Sequence, residues 1–254
     1  MASPQLIGVV WWPHSGGRWF CRSLIGQHEL VHKTAFVHPW EFFSTDMTLE
    51  LDITAQVHKA RSLPELAEHL VALKKSVDAG RVEGLKVYFD HIRQKYLDSD
   101  AQETHILGEM CLGSPIPRAI DLDAIFKAAP DMKIIHLVRS PLESFLSFSV
   151  RHEMDSDPIK IAGSWITLNA HIRTFFEQNP QFQDQVLLVK YEELLTDLEG
   201  QVKRVCEFAG IPFREEMVTS QEQRWGRNTS TSVPQDIQNI MRPIIASELE
   251  QYGY

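Results

Sequence analysis

LIGVVWWPHSGGRWF, residues 6–20, is the stretch on which the fold turns. Its first seven residues, Leu6 to Trp12, are apolar, β-branched or aromatic, and they end at Pro13 and a glycine-containing segment. That pattern predicts a buried strand feeding a loop. A helix follows from Trp19. Between the two lie Ser15, Gly16 and Gly17. Glycines let consecutive backbone N–H groups turn toward one anion, and a helix N-terminus adds its positive partial charge, so the segment is a candidate phosphate loop. A tight turn that binds nothing would use the same residues, and the GxxxxGK[ST] pattern of nucleotide triphosphatases, with its Lys, is not present.

Outward from this loop the chain repeats the strand-to-helix theme. KIIHLV (Lys133 to Val138) reads as a strand closed by Arg139. The following SPLE places Ser140 as N-cap, Pro141 at the first helical position and Glu143 three residues after the cap, the spacing of a capping box. VLLVKY (Val186 to Tyr191) is a further strand. The helix after it carries Leu194, Leu198, Val202, Val205 and Ala209 as one apolar stripe until Gly210 stops it. THILGEM predicts another strand, DLDAIFKAA a short helix with an Asp start, and Pro64 to Ala79 an amphipathic helix with Leu66, Leu70, Leu73 and Val77 on one side. Helices alternating with buried strands favour a three-layer α/β fold, a parallel sheet covered by helices on both faces. The polar stretch from Thr219 to Ser232 is a long loop.

Composition narrows the function classes. The 254 residues, 43% hydrophobic and 23% charged, suffice for one large core, and a single domain over 1–254 is expected. A formal net charge of −9 argues against a general basic surface for nucleic acid, so any anion site must be local. Cys21, Cys111 and Cys206 are widely spaced and odd in number, which excludes a closed disulfide framework and fits a reducing, cytoplasmic setting. No leader pattern precedes the first strand, and no apolar run approaches the roughly 20 residues of a membrane helix, so no membrane insertion is expected.

Three further motifs carry chemistry. In RSPLESFLS, Arg139 ends a strand and Ser147 follows eight residues later on the helix. Arg offers a planar two-donor contact and Ser a hydroxyl, which together can hold a terminal phosphate. A surface ion pair and a solvent-facing serine would be the structural alternative. VLLVKYEELLTDLEGQVKRVCEFAGIPF is largely core. RWGRNTSTS lies in the long polar loop, with Arg227 and Asn228, and less surely Arg224, as candidate anion contacts.

Taken in order, these motifs resemble the PAPS-dependent sulfotransferase family, bacterial members in particular, where PAPS is 3′-phosphoadenosine 5′-phosphosulfate. PHSGGRWF is similar to the family's 5′-phosphosulfate loop, P-K-S-G-T-T-W, through Pro13, Ser15, Gly16 and Trp19. It departs from it at His14, Gly17 and Arg18, where Lys or Arg, Thr and Thr are usual. Arg139, Pro141 and Ser147 resemble the family's 3′-phosphate segment, and Tyr191 stands where the family has a Tyr by the adenine. The late loop is similar in place to an R-K-G-x-x-G loop without reproducing it. The resemblance implies a P-loop nucleotide-binding type of α/β fold, PAPS as co-substrate with PAP as product, no metal, and a small-molecule or peptide acceptor. It also implies a nucleotide site drawn from Ser15, Gly16, Gly17, Arg18, Trp19, Arg139, Ser147, Tyr191, Arg227 and Asn228.

The family's loop Lys stabilises charge on the departing phosphate oxygen. Here a protonated His14, whose unperturbed pKa would be near ~6.5, shares that role with Arg18. His14 as a mere turn residue is the alternative. For the general base, Glu41 of HPWEFF resembles in position the catalytic Glu of tyrosylprotein and many bacterial sulfotransferases, followed by His105 and Glu109 of THILGEM. His28, His32 and His38 have spacings that do not form a tight ligand set, so no metal is expected. Two other readings stay open. One is a P-loop small-molecule or nucleotide kinase, which should show a Walker Lys and an acidic Mg²⁺ ligand; the other is a catalytically silent nucleotide-binding module.

Overall fold

A computed structural model describes residues 3–34, 64–97, 104–111, 121–151, 157–222 and 233–254. These fall into two compact units, one holding the 64–97 and 121–131 segments and the other holding the rest. The larger unit is built on five strands, β1 (Gln5–Trp11), β2 (Val31–Thr34), β3 (His105–Cys111), β4 (Lys133–Val138) and β5 (Val186–Lys190). All are parallel, in the order β2-β3-β1-β4-β5. The α/β fold with a parallel sheet between helices is the one expected.

Why β1 is central follows from its residues. Leu6, Ile7, Val9 and Val10 have no exposed surface, as befits a strand covered on both faces. Each such side chain contributes about 1.5–3 kcal/mol by leaving water. Side chains alternate, so Ile7, Val9 and Trp11 join Leu107, Ile135, Leu137 and Val189 on one face, against Phe20, Leu24, Val202, Val205 and Ala209. On the other face His136 of β4 meets Asn169, which belongs to the long helix α5 (Pro158–Gln178).

Local chemistry starts and stops the helices. Asp121 caps α3 (Leu122–Ala128), and Asp157 caps α5 through the amide of Ile159 at 2.9 Å. The apolar stripe expected as one helix after Tyr191 is two, α6 (Tyr191–Thr196) and α7 (Leu198–Ala209), because Asp197 ends the first and caps the second through Gly200 N–H at 3.0 Å. Gly210 then closes α7 in the left-handed conformation, φ 82°. The helix expected from Trp19 begins earlier: α1 (Gly17–Trp19) passes into a widened π-turn, Phe20–Leu24, and a 3₁₀ turn, Ile25–Gln27. α4 (Pro141–Arg151) follows β4; α8 (Glu216–Glu222) and α9 (Gln235–Gln251) complete this unit.

In the smaller unit the amphipathic helix expected to end at Ala79 continues, as α2 (Pro64–Leu97), with Leu85, Phe89 and Ile92 buried. Arg81 reaches Asp121 at 2.6 Å and Arg93 reaches Asp131 at 2.7 Å, so both ends of the α3 segment are tied to α2. No helix among the described residues is long and apolar enough to cross a membrane.

Strand order positions the site. After β1 the chain moves toward the β2 edge, whereas after β4 it moves toward β5. The carboxyl ends of β1 and β4 therefore flank a topological switch point, where open parallel sheets leave a crevice for ligands.

Candidate functional site

The loop after β1 turns through two left-handed residues, His14 at φ 65° and Gly16 at φ 85°. Gly16 takes this conformation freely; at His14, which has a Cβ, it costs about 1–2 kcal/mol. The Ser15 N–H donates to Trp12 O at 3.2 Å and the Phe20 N–H to Gly16 O at 3.0 Å. Alternating backbone hands curl successive N–H groups into a concave nest, and those of the first helical turn have no acceptor within the helix. Ser15 Oγ is fully buried and has no hydrogen-bond partner among the described residues. Leaving such a hydroxyl unsatisfied costs about 1–3 kcal/mol, which an anionic ligand would recover.

Close approach requires both glycines. A Cβ on Gly17 would lie 2.5 Å from Cγ of Trp11 and nearer still to Cδ2, and a Cβ on Gly16 would lie 2.6 Å from Cδ2 of Tyr191. The loop is thus pressed between the end of its own strand and the first residue of α6.

Two side chains from the segment after β4 converge on this loop. Arg139 Nη1 donates to the His14 carbonyl at 3.1 Å, and Ser147 Oγ lies 3.2 Å from His14 Nδ1. The Arg139 guanidinium stacks on the Tyr191 ring, 4.4 Å from its centroid, which fixes its plane. Its Nη2 lies 3.7 Å from Glu143, and its Nε is buried without a partner among the described residues. Arg18 is exposed and makes no ion pair among the described residues; Trp19 packs half-buried against the core. Loop, Arg139, Ser147 and Tyr191 therefore form one constellation of donors at the switch point, suited to a ligand with more than one anionic group.

The candidate bases separate. His105 opens β3, in register with Gln5 at the start of β1, so it sits at the opposite end of the sheet from the loop and is not part of the constellation. Burial lowers its pKa, partly offset by a backbone hydrogen bond to Ala209. Glu109, in register with Val9, lies near the carboxyl end, where Arg22 holds it in a two-point contact at 2.6 and 3.3 Å. That contact raises the Arg22 pKa. Glu41, Arg224, Arg227, Asn228 and His38 lie outside the described residues. His28 is structural: Nδ1 accepts from Leu30 N–H at 3.1 Å and Nε2 donates to Pro212 O at 2.8 Å.

Sequence reasoning missed the groups that hold the constellation. The capping box is not formed as the spacing suggested. The Ser140 N–H donates not to Glu143 but to Glu192 of α6, at 2.9 Å, and Glu143 turns toward Arg139 instead. Trp165 of α5 donates its indole N–H to the Arg139 carbonyl at 3.1 Å, and Trp12 donates to Ser164 at 3.1 Å. These are long-range pairs; only the run of carboxylates after Tyr191 hinted at one of them.

Known proteins bear on this geometry. The profile described as Sulfotransferase family matches residues 15–215, from the loop through α7. Among curated proteins, sulfotransferase 2B1 of Mus musculus is 43% identical over 58 residues, 23% of this chain and 16% of that protein, so the match spans under a fifth of that relative. The sulfotransferase domain from the Synechococcus PCC 7002 olefin synthase is similar in fold, with a TM-score of 0.60 at 17% identity, covering 100% of this chain and 96% of that one. The mouse sulfotransferase SULT7A1 complexed with PAP gives 0.51 at 11% identity, covering 96% and 84%. Since the profile runs through most of the sequence and takes in Ser15 to Trp19, Arg139, Ser147 and Tyr191, the chain belongs to the sulfotransferase family.

Proposed function

We propose that the protein transfers the sulfuryl group of PAPS to a hydroxyl or amine of a small-molecule or peptide acceptor. The observation that carries this reading is the meeting of Arg139 and Ser147 with His14 of the loop, at 3.1 and 3.2 Å. It brings donors for a terminal phosphate within reach of donors for a second anionic group, the requirement of a nucleotide phosphorylated at both 3′ and 5′ positions. The PAP complex of the mouse relative supports the same ligand class.

In this reading Ser15 and the amides of Gly16, Gly17, Arg18 and Trp19 hold the 5′-phosphosulfate, while Arg139 and Ser147 hold the 3′-phosphate. Tyr191, whose ring already braces Arg139, borders the adenine. A carboxylate base, Glu41 first and Glu109 second, takes the proton of the acceptor. The acceptor oxygen or nitrogen forms its bond to sulfur as the bond from sulfur to the bridging phosphate oxygen breaks. His14 and Arg18 stabilise the negative charge left on that oxygen, and PAP departs. As in phosphoryl transfer, charge is spread over equatorial oxygens, so alignment and fixed positive charge supply most of the rate. No step calls for a metal. Arg227 and Asn228 are proposed to close on the 3′-phosphate. The buried thiols of Cys21 and Cys206 suit a reducing, cytoplasmic setting.

Calorimetric titration with PAP tests this, with ADP as control and Arg139→Ala as the variant. Micromolar binding that prefers the 3′-phosphate and disappears in Arg139→Ala is the expected outcome. Absence of PAP binding, or an ADP preference that needs Mg²⁺, overturns it in favour of a kinase.

A further inference from the structure

The peptide unit joining Arg139 to Ser140 is gripped at both of its polar ends. Its carbonyl accepts from the Trp165 indole at 3.1 Å, and its N–H donates to Glu192 Oε1 at 2.9 Å. Glu192 is itself oriented, because its second oxygen accepts from the Tyr254 hydroxyl at 2.7 Å. Tyr254 is 40% exposed, and partial burial of its hydroxyl together with the neighbouring Glu192 raises its pKa, keeping that hydroxyl a donor. Lys190 Nζ, 5.4 Å from the Tyr254 ring centroid, flanks the ring.

A peptide plane held at both ends fixes the rotation about the Arg139 Cα–C bond, and with it the direction in which the guanidinium leaves the backbone. We propose that Glu192, oriented by Tyr254, is a positioning residue for the 3′-phosphate subsite: it holds the turn after β4 so that Arg139 reaches the loop. The proposal rests on the nucleotide reading above and adds Glu192 and Tyr254 to it.

Three features favour positioning over a merely structural role. The bond is charge-assisted and runs between α6 and the turn before α4, so it joins two of the motifs rather than stabilising one helix. It replaces the local bond that Glu143 would have made, which leaves Glu143 beside Arg139. Tyr191, the residue preceding Glu192, is the ring on which Arg139 stacks, so one short segment sets both the plane and the origin of the guanidinium.

The test separates a shifted Arg139 from general loosening. PAP and 5′-AMP, which lacks the 3′-phosphate, are titrated by calorimetry into the wild type, Glu192→Ala, Glu192→Gln and Tyr254→Phe. Hydrogen exchange at the Ser140 amide is followed without nucleotide. A charge-assisted bond of this kind sets the expected loss in Glu192→Ala at about tenfold for PAP, with 5′-AMP held within about twofold. Glu192→Gln, whose carboxamide oxygen still accepts from Ser140, restores PAP binding, and Tyr254→Phe weakens PAP by about two- to threefold. The Ser140 amide exchanges faster in Glu192→Ala. Unchanged PAP affinity, an equal loss for both nucleotides, or unchanged exchange at Ser140 overturns the proposal. A wild type that binds neither nucleotide overturns the sulfotransferase reading instead, and the exchange at Ser140 still decides whether Glu192 holds the turn.

Discussion

Replacing Gly16 by alanine should damage stability and ligand binding together, because two separate costs meet at this position. The first is conformational: at φ 85° a side chain sits in the left-handed region, a cost of about 1–2 kcal/mol. The second is steric. The new Cβ would stand 2.6 Å from Cδ2 of Tyr191 and closer to Cε2, where ordinary contacts begin at 3.4 Å, so the ring must withdraw by about an ångström. Overpacking of this degree costs about 1–3 kcal/mol. Together they predict a loss of about 2–5 kcal/mol. The moving ring is the one on which Arg139 stacks, so the guanidinium loses its support in the same event. Denaturant unfolding followed by intrinsic fluorescence measures the first effect, and PAP titration well below the new midpoint measures the second. If Gly16→Ala unfolds at the wild-type midpoint, the loop does not hold the left-handed, ring-pressed conformation described, and the derivation of the anion nest fails with it.

Two further outcomes concern stability alone. His136 is buried against Asn169, and burial lowers its pKa to about 4, partly offset by that hydrogen bond. Below the unfolded value of about 6.5 the unfolded chain binds the proton and the native one does not, so stability falls as pH drops from about 6.5 toward 4. The total is of order 3 kcal/mol, and unfolding curves across that window should lose this slope in His136→Gln. Arg173 pairs with the nearly buried Glu248 at 3.0 and 3.4 Å; Arg173→Ala leaves that carboxylate without its partner and should cost about 2–3 kcal/mol by denaturant titration, more than Glu248→Gln.

The parts of the fold that sequence reasoning reached are those governed by local rules. β1, β4 and β5 are short, largely apolar runs with turn residues behind them, and Asp121 and Gly210 act as caps through residues three or four positions away. Where local rules competed with distant partners, the distant partner won. Glu143 has the spacing to cap its own helix, yet the Ser140 amide is taken by Glu192, fifty-two residues away. His105 stands in the suggestive segment THILGEM, but strand polarity puts it at the far end of the sheet, a fact that only register supplies. Asp197 inside an apolar stripe split a helix, because its side chain competes for the backbone amide of Gly200. The glycine loop after β1 was legible as a pattern of residue types, whereas the bracing of Arg139 by Tyr191, Trp165 and Glu192 was not, since no periodicity links them.

The parallel pairing of β1 also shapes how the protein comes to exist. The first strand in the chain lies at the centre of the sheet, and its neighbours β3 and β4 begin about 100 and about 126 residues downstream of their partners in it. Contacts so distant in sequence place the domain among slow folders, because loop-closure entropy is lost before any pairing rewards it. At about 5–20 residues per second of synthesis, the glycine loop leaves the ribosome on the order of ten seconds before the strand that carries Arg139. Through that interval it is an uncommitted turn beside an unpaired hydrophobic strand. If it binds nucleotide as proposed, the site is complete only when the last motifs dock, so the ligand would stabilise the finished domain without guiding its assembly.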